Sequence, residues 1–330
     1  MTHVLATAAG PGDAVPYVDL LRRMVLIRRF EEAVHSLFLR GEVYGSTHLC
    51  NGQEAVSAGV ASVLRPEDRV AATYRGHGHV LALGTSPQRF LEELIGRRTG
   101  ICGGRSGSMN VVDLEHGLIG CFGIVGGSLA AATGAALALR RTGGVAVAFF
   151  GDGAVNQAYF HECLNFARVA RLPVLYVCEN NGYGEYTRME EVTPGGILAR
   201  PRALDIPAET VDGQDVWAVR AAAAEALDGA RSGEGPGFLE MRTYRYADHG
   251  RGDPVKYRPD HEVAAWRLRD PIEIARARLT DEYGIAAGEL DALMANVAEE
   301  VEAIQARALA APFPEPGDPA SEFAGSGTGA

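Results

Sequence analysis

The segments VAVAFFGDG at 145–153 and VLYVCENNGYG at 174–184 decide the fold of this chain. Each begins with a short apolar run, Val145 to Phe150 and Val174 to Cys178, which is typical of a buried parallel strand. The residues between them, from about Asn156 to Arg171, have a helical pattern. In a right-handed strand–helix–strand unit, the polar residues that follow both strands lie at the same edge of the sheet.

The polar residues at that edge carry hard oxygen ligands. Asp152 offers a carboxylate, and Asn180-Asn181 offers an amide oxygen beside nearby backbone carbonyls. Such a set suits Mg²⁺, which usually keeps substrate phosphates among its ligands. Gly153, at the predicted start of the helix, would let a diphosphate approach backbone N–H groups. The alternative is a pair of ordinary strand-ending turns, but the spacing of the two clusters favours a binding site.

Further motifs along the chain resemble one enzyme family. The GDG and NN pair is similar to the thiamine diphosphate motif, and the other motifs follow in that family's order: HLCNGQEAV at 48–56, TYRGHG at 73–78, GGRSGSMN at 103–110, GIVGG at 123–127 and RTYRYADHGRGDPVKYR at 242–258. From about Tyr17 to Ala310 the chain therefore resembles the alpha subunit of the dehydrogenase component of 2-oxo acid dehydrogenase complexes. This family includes the pyruvate, branched-chain and acetoin dehydrogenase alpha subunits.

The resemblance implies a cofactor, a metal and a set of site residues. Thiamine diphosphate and Mg²⁺ would be bound, and the implied metal ligands are Asp152, Asn181 and the carbonyl of Tyr183. The implied contacts of the cofactor are Tyr74, Arg75, Gly123, Val125, Gly153, Ala154 and His249. The implied catalytic residues are His48 and His249, because a histidine can transfer protons near pH 7. Taken singly, Tyr74-Arg75 could be a surface pair and either histidine an ordinary loop residue.

The resemblance also implies partners. Enzymes with this cofactor activate its pyrimidine ring with a glutamate from a second domain, for which this chain has no room. A separate beta subunit would supply it in an α₂β₂ assembly, and this chain alone would be inactive. The implied reaction is oxidative decarboxylation of a pyruvate-like 2-oxo acid, with acyl transfer to the lipoamide of a partner acyltransferase. Alternatives are acetoin cleavage, or an acyloin-forming or acyl-transferring subunit of a specialised pathway; a non-catalytic scaffold and a nucleotide-binding oxidoreductase are disfavoured.

Two departures from the family pattern lie in the loop at 242–258. Gly250 and Gly252 stand where mammalian members carry regulatory serines, so phosphorylation there is chemically impossible. Asp248 precedes His249, and it would either raise the pKa of that histidine or repel an anionic substrate; the sequence leaves both options open. His77 and His79 form an H-x-H pair, but no further metal-ligand spacing supports a transition-metal site there.

Composition limits the class of protein. The formal net charge of −11 over 330 residues argues against nucleic acid or an anionic membrane surface as a partner. The 5 cysteines form no C-x-x-C pair and predict reduced thiols in a cytoplasmic protein. Neither a secretory signal nor a membrane span is expected from the sequence.

The expected fold class is α/β, a doubly wound and mainly parallel sheet of the thiamine diphosphate-binding type with a helical C-terminal appendage. Residues 16–312 would form this domain, with the C-terminal helices beginning at about 261, between flexible tails at 1–15 and 313–330. Loops are expected at 100–108, 117–127 and 243–259. The helices Tyr17–Arg40 and Ser128–Leu139 are candidates for subunit contacts, although core packing explains the second equally well.

Overall fold

The structure, a computed structural model, describes residues 14–250, 253, 256–315 and 317. Its strands are β1 (Arg69–Thr73), β2 (Leu118–Phe122), β3 (Ala146–Gly151), β4 (Val174–Asn180), β5 (Tyr183–Gly184), β6 (Thr187–Arg188), β7 (Ala208–Asp212) and β8 (Gly237–Arg242). Six of them form one parallel sheet in the order β2-β1-β3-β4-β8-β7, while β5 and β6 form a separate antiparallel hairpin. Residues 1–13, which include most of the expected N-terminal tail, and all but Phe313–Glu315 and Gly317 of the expected C-terminal tail lie outside the described residues.

Helices cover both faces of the sheet and form the C-terminal part. They are α1 (Val15–Leu39), α2 (Glu54–Ala61), α3 (His77–Ala82), α4 (Pro87–Leu94), α5 (Gly127–Leu139), α6 (Ala158–Ala170), α7 (Met189–Val192), α8 (Ala199–Arg202), α9 (Val216–Arg231), α10 (Asp260–Arg267), α11 (Pro271–Tyr283) and α12 (Ala287–Ala310). The expected α/β class with a helical C-terminal part is confirmed. Among the helices that the structure describes, none is both long and apolar enough to cross a membrane.

The strand–helix–strand unit β3–α6–β4 has the expected position and register. Phe149 pairs with Val177 and Gly151 with Glu179, so the two strands end together. Val147, Phe149 and Val177 pack in the core on one face of the sheet, whereas Phe150 packs in the core on the other. Because both faces are covered, nearly every residue of these strands is apolar, which explains the continuous runs in the sequence.

Three parts of the fold differ from the expectation or were not anticipated. The sequence predicts a loop at 117–127, but this segment contains the edge strand β2, which pairs with β1 and forms an isolated bridge from Leu118 to Asp113. The strand is short and contains a glycine, so it gives no clear pattern. A five-residue 3-10 turn, Asp152–Asn156, separates β3 from α6, so the helix does not begin at Gly153. The short helices α3 and α4 had no predicted counterpart.

The two helices proposed for subunit contacts are packed differently. Most apolar residues of α1 are buried, and the helix packs against α12, α11 and α2, so core packing accounts for much of its pattern. In α5, Leu129, Ala132 and Ala136 are buried against the sheet, while Ala130, Gly134 and Leu137 are exposed. Core packing therefore explains one face of α5 only, and a subunit contact for the other remains a prediction.

Candidate active site

One cavity of about 390 Å³ lies at the carboxyl ends of β1, β3 and β4. This is the edge at which parallel α/β sheets commonly bind ligands. The predicted site residues all line it, namely His48, Tyr74, Arg75, Gly123, Val125, Asp152, Gly153, Ala154, Asn181, Tyr183 and His249. The sequence did not single out Gln53, Met109, Glu179, Glu185 and Arg245, which also contribute to the wall.

Asp152 and Asn181 form the corner suited to a cation. The carboxylate oxygen Oδ2 of Asp152 is buried and has no hydrogen-bond partner among the residues that the structure describes. Burial raises the pKa of Asp152 to about 6, because no adjacent positive group fully compensates the ionised form. The amide of Asn181 is oriented by Gln53, whose Oε1 accepts from Asn181 Nδ2 at 3.3 Å. A buried carboxylate with one unpartnered oxygen, beside an oriented amide oxygen, fits a hard divalent cation.

Asn180 does not share this role, although it precedes Asn181 in the same motif. Its Nδ2 donates to Glu240 Oε1 at 2.7 Å, and its Oδ1 accepts from the backbone N–H of Gly182 at 3.1 Å. The side chain is therefore occupied in joining β4 to β8 and in shaping the turn. Only the second asparagine of the pair lines the cavity.

Gly153 lies where two backbones approach closely. A Cβ on Gly153 would lie 3.3 Å from the Cα of Gly184, and a Cβ on Gly184 would lie 3.3 Å from the Cα of Gly153. The 3-10 turn that begins at Asp152 faces the hairpin β5–β6 across this contact. Backbone N–H groups near a phosphate would thus come from this turn rather than from the first turn of α6, because α6 begins only at Ala158.

Two buried guanidinium groups supply positive charge. Arg75 donates to the carbonyl oxygens of Leu49 at 2.7 Å and of His249 at 2.8 Å. Arg245 lies 3.0 Å from His249 Nδ1, and burial together with Arg75 lowers the pKa of Arg245 to about 10. Within the described part of the chain, neither forms an ion pair with a carboxylate. Two buried cations that lack carboxylate partners fit an anionic group such as a diphosphate.

The two predicted catalytic histidines are neighbours in the cavity wall. The ring centroids of His48 and His249 are 5.0 Å apart, and Tyr74 lies 4.6 Å from His48. Burial, followed by the charge of Arg75, lowers the pKa of His48 to about 3 and that of His249 to about 4. Both rings are therefore neutral near pH 7. An anion bound at Arg75 would raise both pKa values, because it would offset that charge.

The GIVGG segment forms the most open wall. Ile124 is 73% exposed and Val125 39% exposed, although both line the cavity. The carbonyl of Val125 accepts a hydrogen bond from the hydroxyl of Tyr159. Gly126 has φ +79°, and a Cβ there would lie 2.8 Å from the ring of Tyr159, so this turn requires glycine. The cavity is therefore bounded on this side by apolar groups that face solvent.

Asp248 does not act on His249 as the sequence suggested. Its Oδ1 lies 3.4 Å from the guanidinium of Arg258, and its side chain lines a different cavity, beside Arg267. The pKa of His249 is lowered, and the carboxylate that opposes this shift is Asp253. Of the two options that the sequence left open, a raised pKa of His249 is therefore wrong, whereas repulsion of an anionic substrate stays a prediction. Gly250 is described, whereas Gly252 lies outside the described residues.

The H-x-H pair is not a metal site in this arrangement. His77 bonds to Glu31 Oε2 and to Ser108 Oγ, both at 2.7 Å, so both of its ring nitrogens are used in a buried network. His79 instead packs on the ring of Phe149, with centroids 4.0 Å apart. A separate group that could hold a metal, Asp113 with Glu115 and His116, lies outside the cavity wall. In that group, Oδ2 of Asp113 already accepts hydrogen bonds from Thr85 and His116.

The chain is similar to known proteins over most of its length. The family described as "Dehydrogenase E1 component" matches residues 22–317. The chain is similar to the alpha subunit of acetoin:2,6-dichlorophenolindophenol oxidoreductase from Bacillus subtilis, with 44% identity over 77% of this chain and 78% of the relative. The corresponding subunit from Cupriavidus necator is 40% identical over 94% of this chain and 95% of its own length. The pyruvate dehydrogenase E1 component subunit alpha from Rhizobium meliloti is 45% identical over 76% and 74%.

Proposed function

Because this chain belongs to the dehydrogenase E1 component family, we propose that it is the alpha subunit of a thiamine diphosphate-dependent 2-oxo acid dehydrogenase. The observation that carries the proposal is the single cavity in which Asp152, Asn181, Arg75 and Arg245 meet. Among the residues that the structure describes, these groups combine a carboxylate with one unpartnered oxygen, an oriented amide oxygen and two cations without carboxylate partners. That combination suits a diphosphate held through a divalent cation.

The residues would divide the binding between them. Asp152, Asn181 and the carbonyl of Tyr183 would hold Mg²⁺, and the guanidinium groups of Arg75 and Arg245 would neutralise the diphosphate. Thiamine diphosphate supplies the nucleophilic carbon and the electron sink when it is bound. His48 and His249 would hold or transfer protons beside it, since both are neutral and close to the two arginines. The backbone at Gly123 and Val125 would position the ring system.

The proposed reaction is oxidative decarboxylation of a pyruvate-like 2-oxo acid, with the acyl group passed to lipoamide on a partner acyltransferase. Acetoin cleavage is the second candidate, and the similarity that spans 94% of this chain to an acetoin oxidoreductase alpha subunit favours it. The altered loop at 247–252 is the one hint in the sequence of a specialised acyloin-forming pathway. The orientation of Asp248, away from the cavity, weakens that hint.

A beta subunit would complete the site in an α₂β₂ assembly located in the cytoplasm. The exposed apolar residues Ile124 and Val125 at the cavity wall support a protein partner on that side. The partner would supply the glutamate that activates the aminopyrimidine ring. The carboxylates of this chain that line the cavity are Asp152, Glu179 and Glu185; the first is assigned to the metal and the second lies 3.5 Å from His79.

Binding of the cofactor tests the proposal before any substrate is chosen. The assembly of this chain with its beta partner should bind thiamine diphosphate in a Mg²⁺-dependent manner, measured by calorimetry. Asp152→Ala should abolish the Mg²⁺ dependence, whereas Glu302→Gln on the exposed side of α12 should leave it unchanged. Binding by the Asp152→Ala variant with unchanged affinity would contradict the proposed metal site.

A further inference from the structure

The carboxylate of Glu262 in α10 joins three segments around the cavity. Its Oε2 accepts from the hydroxyl of Tyr183 at 3.0 Å and from Arg188 Nη2 at 2.8 Å. Its Oε1 accepts from the hydroxyl of Tyr244 at 2.8 Å. The Glu262 side chain is 20% exposed, so solvent competes only weakly for these bonds. One carboxylate thus ties α10 to the hairpin β5–β6 and to the segment after β8.

The hairpin needs such a support. It consists of two residue pairs, and Tyr183 is paired directly with Arg188. Glu185 at its tip has φ +56°, a left-handed conformation that is unfavourable for a residue other than glycine. A two-stranded hairpin of this size is marginal by itself in water. Since Glu262 bonds to both members of the Tyr183–Arg188 pair, it holds both strands of the hairpin.

The same hairpin carries an atom assigned to the metal. The carbonyl of Tyr183 is one of the proposed ligands, and the backbone N–H of Tyr183 donates to Asn181 Oδ1 at 3.2 Å, the oxygen assigned to the same cation. The orientation of the peptide at Tyr183 therefore affects two ligands. Tyr244 precedes Arg245, so the hydrogen bond from Tyr244 to Glu262 also fixes the segment that carries the guanidinium of Arg245.

We propose that Glu262 is a positioning residue for the metal site, acting through the hydroxyl of Tyr183 to fix the peptide whose carbonyl binds the cation. The inference rests on the proposed function, because it presupposes a metal at Asp152 and Asn181. Groups that orient metal ligands from outside the coordination sphere commonly change metal affinity by about 10–100-fold when they are removed. Glu262 lies outside the cavity wall, so it would contact neither substrate nor cofactor.

If Glu262 had a purely structural role, its removal would change stability and leave metal affinity unchanged. Tyr183→Phe separates this role from the proposed one. This substitution removes the hydroxyl and keeps the backbone carbonyl, so any loss of metal affinity must pass through the bond to Glu262. Tyr244→Phe is the matched variant, because it removes a bond of similar length from the other oxygen of the same carboxylate. Glu302→Gln, on the exposed side of α12, controls for the loss of a charge.

The test is a Mn²⁺ titration of the assembly of this chain with its beta partner, with saturating thiamine diphosphate and free Mn²⁺ read by electron paramagnetic resonance. We expect Glu262→Ala to raise the half-saturating Mn²⁺ concentration about tenfold and Tyr183→Phe to raise it about threefold. The double variant should be no worse than Glu262→Ala, because both remove the same bond. Tyr244→Phe should have a smaller effect than Tyr183→Phe, and Glu262→Gln should recover part of the affinity.

Two results would overturn the inference. One is a half-saturating Mn²⁺ concentration within twofold of the wild type in Glu262→Ala, whatever its melting temperature. If that variant does not fold, an unchanged value in Tyr183→Phe is equally decisive. Failure of the wild type to bind Mn²⁺ together with thiamine diphosphate is a separate outcome, since it would remove the proposed function itself.

Discussion

Replacing Asp152 with asparagine should stabilise the protein in the absence of metal while it weakens metal binding. The carboxylate is buried, its Oδ2 is unpartnered within the described residues, and burial raises its pKa from 3.8 to about 6. Asparagine has nearly the same shape but carries no charge. The variant therefore removes the cost of an ionised group in a buried position and removes the ligand as well.

The size of the effect follows from the pKa shift. A pKa that is raised on folding means that the folded state favours the protonated acid. This contribution to stability is fully present below pH 3.8 and is lost as the pH rises through about 6. A shift of about two units corresponds to about 3 kcal/mol. At pH 7.5 without metal, the asparagine variant should gain at most about 3 kcal/mol in free energy of unfolding, and less if its amide remains unpartnered.

Urea unfolding of the full chain with chelator present, at pH 7.5 and at pH 4.5, measures this difference. We expect Asp152→Asn to be more stable than the wild type at pH 7.5, with most of the gain gone at pH 4.5, where the wild-type acid is already largely protonated. With Mg²⁺ and thiamine diphosphate added to the assembly, the wild type should be stabilised more than the variant.

A variant less stable than the wild type at pH 7.5 without metal would contradict the expected gain. It would mean that the carboxylate is satisfied by partners that the structure does not show. Glu302→Gln, the exposed counterpart of the same charge removal, should change stability at neither pH.

Three further predictions address the guanidinium of Arg75, the imidazole of His48 and the backbone at Gly52. Arg75→Lys should raise the half-saturating thiamine diphosphate concentration about tenfold, because one ammonium group cannot donate to both carbonyl oxygens to which the guanidinium donates. An unchanged concentration in a binding titration would contradict this. His48→Ala should lower kcat about 100-fold without changing Mn²⁺ affinity, and a loss below threefold in steady-state assays would assign the proton transfer elsewhere. Gly52→Ala should prevent soluble expression, because Gly52 has φ +97° and a Cβ there would lie 2.3 Å from the carbonyl oxygen of Tyr244. Gly288→Ala in α12, where a Cβ meets open space, should instead raise the free energy of unfolding by up to about 1 kcal/mol, measured in a thermal melt.

The central unit of the fold could be predicted from the sequence because its signal is local. The apolar runs of β3 and β4 are typical of strands in a sheet that is covered on both faces. The polar residues that follow these strands must then lie at one edge of the sheet. The sequence likewise predicts helices at 216–230, 271–283 and 287–309, each within one residue of the bounds of α9, α11 and α12, since each has a long periodic pattern or a clear starting residue. The long loop at 243–259 was also expected, and its described residues contain neither helix nor strand.

Other parts of the fold depend on contacts that no local pattern carries. The strand β2 is short, contains Gly120 and lies at the edge of the sheet, so its sequence resembles the loops on either side of it. The helices α3 and α4 have six and eight residues, too few to establish a period. Tertiary packing rather than propensity decides such elements.

The candidate site shows the same division. The sequence and the family resemblance brought together residues that line one cavity, but they missed Arg245, although its position in the long loop beside His249 was a usable signal. The sequence could not show that Asn180 turns to Glu240 or that Asp248 turns to Arg258, because side-chain direction depends on the packed neighbours. The roles assigned to the cavity residues remain predictions.

Turnover with and without the beta subunit shows whether this chain needs a partner and the proposed metal site for catalysis. The measurement is dye reduction by this chain alone, and by its assembly with a co-expressed beta subunit, with thiamine diphosphate, Mg²⁺ and a panel of pyruvate, branched-chain 2-oxo acids, 2-oxoglutarate and acetoin. We predict no activity for the single chain, activity of the assembly on pyruvate or acetoin, and loss of that activity in Asp152→Ala. Turnover by the single chain, or full activity of an assembly that carries Asp152→Ala, would contradict the account.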